Sequence, residues 1–281
     1  MTWKIVSDSG CDFQKIKDLA VATNFERVPL TIQVGNEIFT DDAELDIDEM
    51  MEKMYATSTA SKSACPSPDD YLKSFAGADN IFVVTITGTL SGSNNSAQLA
   101  KKLYQEEHPN VNIHVIDSLS AAGEIDLIVH KLNHLIGQGL SFEEVAQAIT
   151  DYQEKTKLLF VLSKVDNLVK NGRLSKLLGT VVGLLNIRMV GEASSQGTLE
   201  LLQKARGHKK SLTAAFEELL KAGYAGGEII IAHRNNTKFC QQFSELVREK
   251  YPKASITIIP TSGLCSFYAE EGGLLMGYEI E

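Results

Sequence analysis

The chain has 281 residues, 43% hydrophobic, 22% charged and 7% aromatic, so it holds too much apolar side chain to stay disordered and must bury a core. Its 27 Lys and Arg against 36 Asp and Glu give a net charge of −9. With no run of five basic residues to concentrate a positive field, the balance argues against nucleic acid as the main partner. The greasiest stretch, Leu177 to Val190, is short and holds Asn186 and Arg188, so no membrane span is expected.

Short β-rich runs alternate with helix-period runs: Trp3–Ser7 then Phe13–Ala22, Ile81–Ile86 then Asn94–Tyr104, Val111–Ile116 then Ile125–Leu135. That rhythm predicts βαβ units and a largely parallel sheet. Two helix starts are marked locally. Ser67-Pro68-Asp69-Asp70 supplies an N-cap, a first-turn proline and acids for the dipole, and Ser141-Phe142-Glu143-Glu144 forms a capping box. After Lys155 the texture changes. A strand is expected at Leu158–Leu162, a helical stretch to about Leu185, and a hairpin of Ile187–Ala193 with Thr198–Lys204 turning at Ser194–Gly197. Then come a helix at Ser211–Lys221, a strand at Glu228–Ala232, a helix to Lys250, a strand at Ser255–Ile259 and an apolar segment near Leu274–Tyr278. The expected fold class is α/β in two domains, an N-terminal parallel-sheet domain over residues 1–155 and a C-terminal mixed α/β domain over 156–281.

The four cysteines, Cys11, Cys65, Cys240 and Cys265, form no C-x-x-C pair, and the opening residues lack the apolar stretch of a secretory signal. Reduced thiols in a cytoplasmic protein are expected. G-x-G-x-x-G, P-loop, H-E-x-x-H and G-x-S-x-G signatures are missing. Gly263-Leu264-Cys265-Ser266-Phe267 imitates a nucleophile elbow, but Phe267 stands where the turn needs glycine, so Cys265 is expected to be a buried structural residue. His130 and His134 share a helix face with no third ligand nearby, so no metal site is expected.

Four loops could hold a ligand. Ser7-Asp8-Ser9-Gly10 follows the first strand, where α/β sheets form crevices, and reads equally as an Asx turn. Thr85–Ser96 ends a strand in small hydroxyl residues and opens a helix. Its Ser91, Gly92 and Asn95 are placed to bind an anion, against simple N-capping by Ser91 or Ser93. Thr57–Ser61 runs through Ser63 into Pro66 and Pro68, which stiffen the loop carrying the Ser63 hydroxyl. Asn171-Gly172-Arg173-Leu174 offers Arg173 as a forked donor for a buried anion, or as a surface residue. Leu177–Leu185 could line a tunnel or pack as core.

An S-D-S turn after the first strand, a T-S-Q-P-S-like loop at Ser63–Ser67, an L-S-G loop at Leu90–Gly92 and a G-G-R-I-like turn at Asn171–Leu174, in that order, resemble the DegV family of bacterial fatty-acid-binding proteins. The resemblance implies a two-domain fold with the acyl chain buried in the second domain. It makes Ser63 and Ser91 the head-group residues for a long-chain fatty acid such as palmitate, Arg173 a contributor to head-group electrostatics or partner docking, and a fatty-acid kinase the implied partner. No catalysis and no cofactor besides the bound lipid are implied. Two departures stand out: Ser63-Ala64-Cys65 replaces T-S-Q, and Tyr268-Ala269-Glu270-Glu271-Gly272 stands where many members carry H-x-G-P-G. The competing readings are an enzyme for a small acyl or phosphorylated substrate, using Ser91, Ser63 or Cys265 with His233 as base, and a regulatory module that presents its acidic surface and binds no ligand.

Overall fold

The structure, a computed structural model, describes residues 1–174 and 186–281. Its first half runs β1 (Trp3–Asp8), β2 (Thr23–Val28), β3 (Thr31–Val34), β4 (Glu37–Thr40), α1 (Ile47–Ala56), β5 (Lys62–Ala64), α2 (Pro68–Phe75), β6 (Asn80–Thr85), α3 (Ser93–Glu107), β7 (Asn112–Asp117), α4 (Gly123–Gly137) and α5 (Phe142–Gln153). Strands β2, β1, β6 and β7, in that order, form an all-parallel sheet. Every residue of β6 is buried, as expected for a strand covered on both faces. The two capping boxes are formed: Ser67 with Asp70 starts α2, and Ser141 with Glu144 starts α5.

The expected helix at Phe13–Ala22 does not form. The backbone there is held by side chains from a distant helix: Asp126 Oδ1 accepts from the Asp12 and Phe13 amides, and Asn133 Oδ1 accepts from the Ala20 amide. Asp18 and Ala22 take positive φ angles, which no right-handed helix tolerates. The freed chain becomes β2. A second element absent from the sequence reading is the antiparallel sheet β4-β3-β5, and it places Ser63 on a strand opposite Ile32 rather than in a loop.

The second half runs β8 (Thr156–Leu162), α6 (Asp166–Lys170), β9 (Ile187–Ala193), β10 (Leu199–Arg206), α7 (His208–Lys221), β11 (Glu228–His233), α8 (Thr237–Lys250), β12 (Ser255–Pro260), α9 (Gly263–Ala269) and β13 (Leu274–Glu279). Its sheet has the order β10-β9-β8-β13-β11-β12, antiparallel except for the β11–β12 pair. The hairpin of β9 and β10 turns through Ser194–Gly197, where the Ser194 amide donates to Thr198 O. The expected helical stretch is realised as α6 and a turn at 171–174; its remainder and the expected tunnel lining at Leu177–Leu185 lie outside the described residues. Among the described residues no helix is long and apolar enough to cross a membrane.

Alternation along β8 decides where the two faces of this sheet look. Leu159 and Val161 join the core under α7 and α8, with Phe239, Phe243 and Tyr278. Leu158, Phe160 and Leu162 point to the opposite face, toward Leu168, Leu275 and Ala269. Helix α4 lies between the two sheets, and Ile125, Ile128 and Leu132 pack in one core with Phe82 of the first sheet and Ile230 of the second.

That sandwich depends on two glycines. A methyl group at Gly123 would run into the backbone of Ile230 and Gly277, and one at Gly277 into the backbone of Gly123 and Glu124. The obstacles are main-chain atoms on both sides, so a side-chain rotation cannot relieve the overlap. Gly123→Ala is therefore expected to destabilise the protein by at least the 1–3 kcal/mol typical of overpacking, read as a lowered unfolding midpoint in denaturant. A midpoint equal to that of the wild type would show that helix and strand can move apart freely.

Candidate functional site

The unused face of the second sheet meets the loops at the carboxyl ends of the first, and a cavity of about 320 Å³ lies between them. Its walls come from both halves: Leu30, Ile86 and Leu119 on one side, and Leu158, Phe160, Leu162, Leu199 and Leu275 on the other. The cavity is thus not confined to residues 156–281, because α4 holds the two sheets close enough for each to supply a wall. Gly191 makes room for the Phe160 ring, which a Cβ at that position would overlap.

Polar groups enter the lining from both halves as well. Ser63, Ser91, Gly92 and Arg173 all line the cavity, together with Tyr268. Ser63 Oγ and Tyr268 Oη are hydrogen-bonded at 2.7 Å, so the tyrosine that replaces the expected histidine touches a predicted head-group residue. Burial raises the Tyr268 phenol above its ordinary value, and it is a neutral donor at physiological pH. The fifth predicted residue, Asn95, is exposed on α3 and is not part of the lining. Its neighbour Asn94 turns inward, donating to Thr85 Oγ1 at 3.0 Å. A one-position shift on a helix rotates the side chain by about 100°, which is enough to take it out of the site.

The turn after α6 draws the two hydroxyl segments together. Asn171 Nδ2 donates to Ser61 O at 3.0 Å, two residues before Ser63. Arg173 Nε donates to Leu90 O at 3.2 Å, one residue before Ser91, and its Nη1 donates to Asn171 O at 2.6 Å. Gly172 between them has φ +72, a conformation that glycine adopts without strain. Among the described residues, Arg173 is the only formally charged side chain in the lining. Two further clamps close the opposite edge: Thr87 Oγ1 donates to Gly197 O at 3.0 Å and Thr89 Oγ1 to Gln196 O at 2.6 Å, seating the β9–β10 turn on the strand-end loop.

Below the polar end, the Ser7–Gly10 segment serves as a structural tie rather than a ligand loop. Asp8 Oδ1 accepts from the Gly10 amide in an Asx-type turn, and Oδ2 accepts from the Ile86 amide at 2.9 Å and from Ser93 Oγ at 2.5 Å. Ser93 also bonds the Tyr71 hydroxyl, so it does not cap α3, whose N-cap Gly92 makes no side-chain bond. The Ser91 hydroxyl accepts from the Ser93 amide at 3.3 Å.

The groups considered for nucleophilic chemistry are not set up for it. Cys265 is buried on α9, and burial together with Asp12, Asp41 and Asp126 pushes its thiol well above the ordinary range, the reverse of what a reactive thiolate needs. The His233 ring nitrogen Nδ1 accepts from the Asn236 amide. Cys65 is the one exposed cysteine and stands at the rim, where a Cβ on Gly92 would come within 2.9 Å of its sulfur. An apolar cavity with an arginine, two serines and a tyrosine of the described residues gathered at one end is complementary to an amphiphile with an anionic head.

The family model described as uncharacterised protein, DegV family, matches residues 2–279. A DegV domain-containing protein from Streptococcus gordonii is 83% identical over 280 residues, with 100% of both chains covered. One from Streptococcus pneumoniae strain R6 is 74% identical over 281 residues, again covering 100% of each. Among solved structures, the Streptococcus pneumoniae Fatty Acid Kinase (Fak) B3 protein loaded with linoleic acid superposes with a TM-score of 0.99 at 74% identity, covering 100% of both chains. A DegV family protein from Eubacterium eligens loaded with heptadecanoic acid gives a TM-score of 0.96 at 38% identity, with 100% of both chains covered.

The Asp8 tie makes the site sensitive to pH. Burial pushes its carboxyl up from 3.8 to about 6, against the opposing pull of the Ser93, Ile86 and Gly10 donors. A folded value above the unfolded one means that the native state holds this proton more tightly. The stabilisation is complete below about pH 4 and is lost as pH rises through about 6. Asp8→Asn is expected to flatten the pH dependence of the unfolding free energy across that window, measured by urea denaturation at stepped pH. An unaltered slope would mean that this carboxyl ionises as it does in the unfolded chain.

Proposed function

The chain belongs to the DegV family, and from that premise we propose that it binds one long-chain fatty acid, with the acyl chain in the cavity and the carboxylate at Ser63, Ser91 and Arg173. The observation that carries this reading is the polarity of the cavity: leucine and phenylalanine walls, with the Arg173 cation and the paired hydroxyls at a single end. The solved relatives loaded with linoleic and heptadecanoic acid support the ligand class.

The energetics agree. Each buried CH₂ contributes about 0.8 kcal/mol, so about fourteen of them supply on the order of 11 kcal/mol before the costs of ordering are subtracted. A carboxylate following that tail out of water needs replacement donors. The Ser91 hydroxyl, the linked Ser63 and Tyr268 hydroxyls and the Arg173 guanidinium supply them, and the arginine compensates the charge that neutral hydroxyls leave uncompensated.

In this reading residues 1–155 form the domain that brings the Ser63 and Ser91 segments, while 156–281 form the domain that brings the long apolar wall together with Arg173 and Tyr268. The protein carries its lipid in the cytoplasm, performs no chemistry of its own and presents the carboxylate to a fatty-acid kinase, the partner suggested by the relative named Fatty Acid Kinase B3. The absence of a histidine at Tyr268 does not remove a donor from the head-group end, since the phenol stands there.

Organic extraction of the purified recombinant protein is expected to release about one equivalent of fatty acid, as a single cavity of this size requires. A ligand-free protein that ignores added palmitate would overturn the reading. Ser63→Ala combined with Ser91→Ala is expected to weaken binding by about 1.5–3 kcal/mol per lost donor while leaving the unfolding midpoint of the ligand-free protein nearly unchanged. Equal affinities for palmitate by titration calorimetry would place the carboxylate elsewhere.

A further inference from the structure

One residue beside the head-group cluster sits in a conformation that its type avoids. Glu270 follows α9 with φ 52 and ψ −176, a combination that glycine takes freely and residues with a Cβ scarcely ever take. It is 2% exposed and does not line the cavity. Burial raises its carboxyl above the ordinary value, against the pull of the Asn167 amide. A buried carboxyl on a strained backbone is unfavourable on two counts, and such an outlier persists where the surrounding structure makes use of it.

What this side chain holds is α6. Glu270 Oε1 accepts from the Asn167 amide at 3.2 Å, in the first turn of a helix whose N-cap, Val165, makes no side-chain bond. The Asn167 side chain reaches back, its Nδ2 donating to Phe267 O at 2.8 Å. Asn167 is thus held at Phe267 and at Glu270, and Tyr268 lies between these two anchors. At the far end of α6, Asn167 O accepts from Asn171 Nδ2 at 2.9 Å, and Asn171 O accepts from Arg173 Nη1. A continuous line of hydrogen bonds therefore runs from Glu270 through Asn167 and Asn171 to Arg173. Its two ends carry donors that act on one another: the Tyr268 phenol, raised by burial, is drawn back by its Ser63 bond and by the Arg173 charge.

We propose that Glu270 is a positioning residue for the head group: its carboxylate locks α6 to α9 and so holds Arg173 in register with Tyr268, which lets the cavity tell a fatty carboxylate from a neutral chain of the same length. The proposal rests on the fatty-acid reading above. Donors aimed by a fixed frame need no reordering when an anion arrives, whereas an arginine on a loose turn loses part of its attraction to the entropy of being ordered. A hydroxyl head carries no charge for the guanidinium to hold. Its binding is set by the apolar walls, which Glu270 does not join.

The test is competition of palmitate against hexadecanol, which shares its chain length and lacks the carboxylate, in the wild type and in three variants. In Glu270→Gly, where the strain disappears as the tie is cut, palmitate is expected to bind about tenfold more weakly while hexadecanol binds as before. Glu270→Ala cuts the tie and keeps the strain, and it is expected to show the same loss of selectivity. Glu270→Gln keeps an acceptor for the Asn167 amide and is expected to retain most of the preference for palmitate. Unchanged selectivity in the glycine and alanine variants would overturn the proposal. So would an equal loss for both ligands, the mark of a purely structural role, or a loss that glutamine does not restore. A wild-type protein that binds palmitate no better than hexadecanol would instead overturn the fatty-acid reading itself.

Discussion

The close approach of α4 to β13 is the constraint on which the molecule depends. With glycine at both 123 and 277 the helix backbone lies directly on the strand backbone, and the two sheets come near enough for a helix to pack in one core between them. The cavity is the gap left beside this contact, where strand-end loops of the first sheet face the outer surface of the second. A wider separation would open it to solvent, and the apolar walls would no longer exclude water. The main-chain contact between these glycines therefore governs the enclosure of a cavity that neither of them lines.

The polar end of the cavity is built by ties to distant segments. Asp8, Asn171 and Thr87 fix the backbone on which Ser91, Ser63 and Arg173 are mounted. Each of these ties joins segments far apart in sequence, so the polar end assembles only once both halves are folded. Any ligand that this end holds would stabilise the folded chain in proportion to its affinity.

Much of this was legible in the sequence, for local reasons. The runs at Trp3, Ile81 and Val111 were strands because β-branched and aromatic residues dominate them, and Ser67 and Ser141 began helices because their capping partners lie three residues away. The hairpin at Ser194–Gly197 announced itself by its turn residues. What escaped depended on distant partners. Phe13–Ala22 has helical periodicity, yet Asp126 and Asn133 claim its amides from more than a hundred positions away. Asn95 and Asn94 are indistinguishable in a string of polar residues until the helix phase is fixed. Tyr268 was visible only as a departure from a family pattern; its contact with Ser63 spans 205 positions.

Of the four thiols, three are buried and Cys65 alone is exposed, at the lip of the cavity and beside Gly92. A maleimide fluorophore will therefore attach at a single place in the unmodified chain, within sight of whatever fills the interior. The protein comes with its own reporter position, and changes at the mouth of the cavity can be followed optically without engineering a cysteine into it.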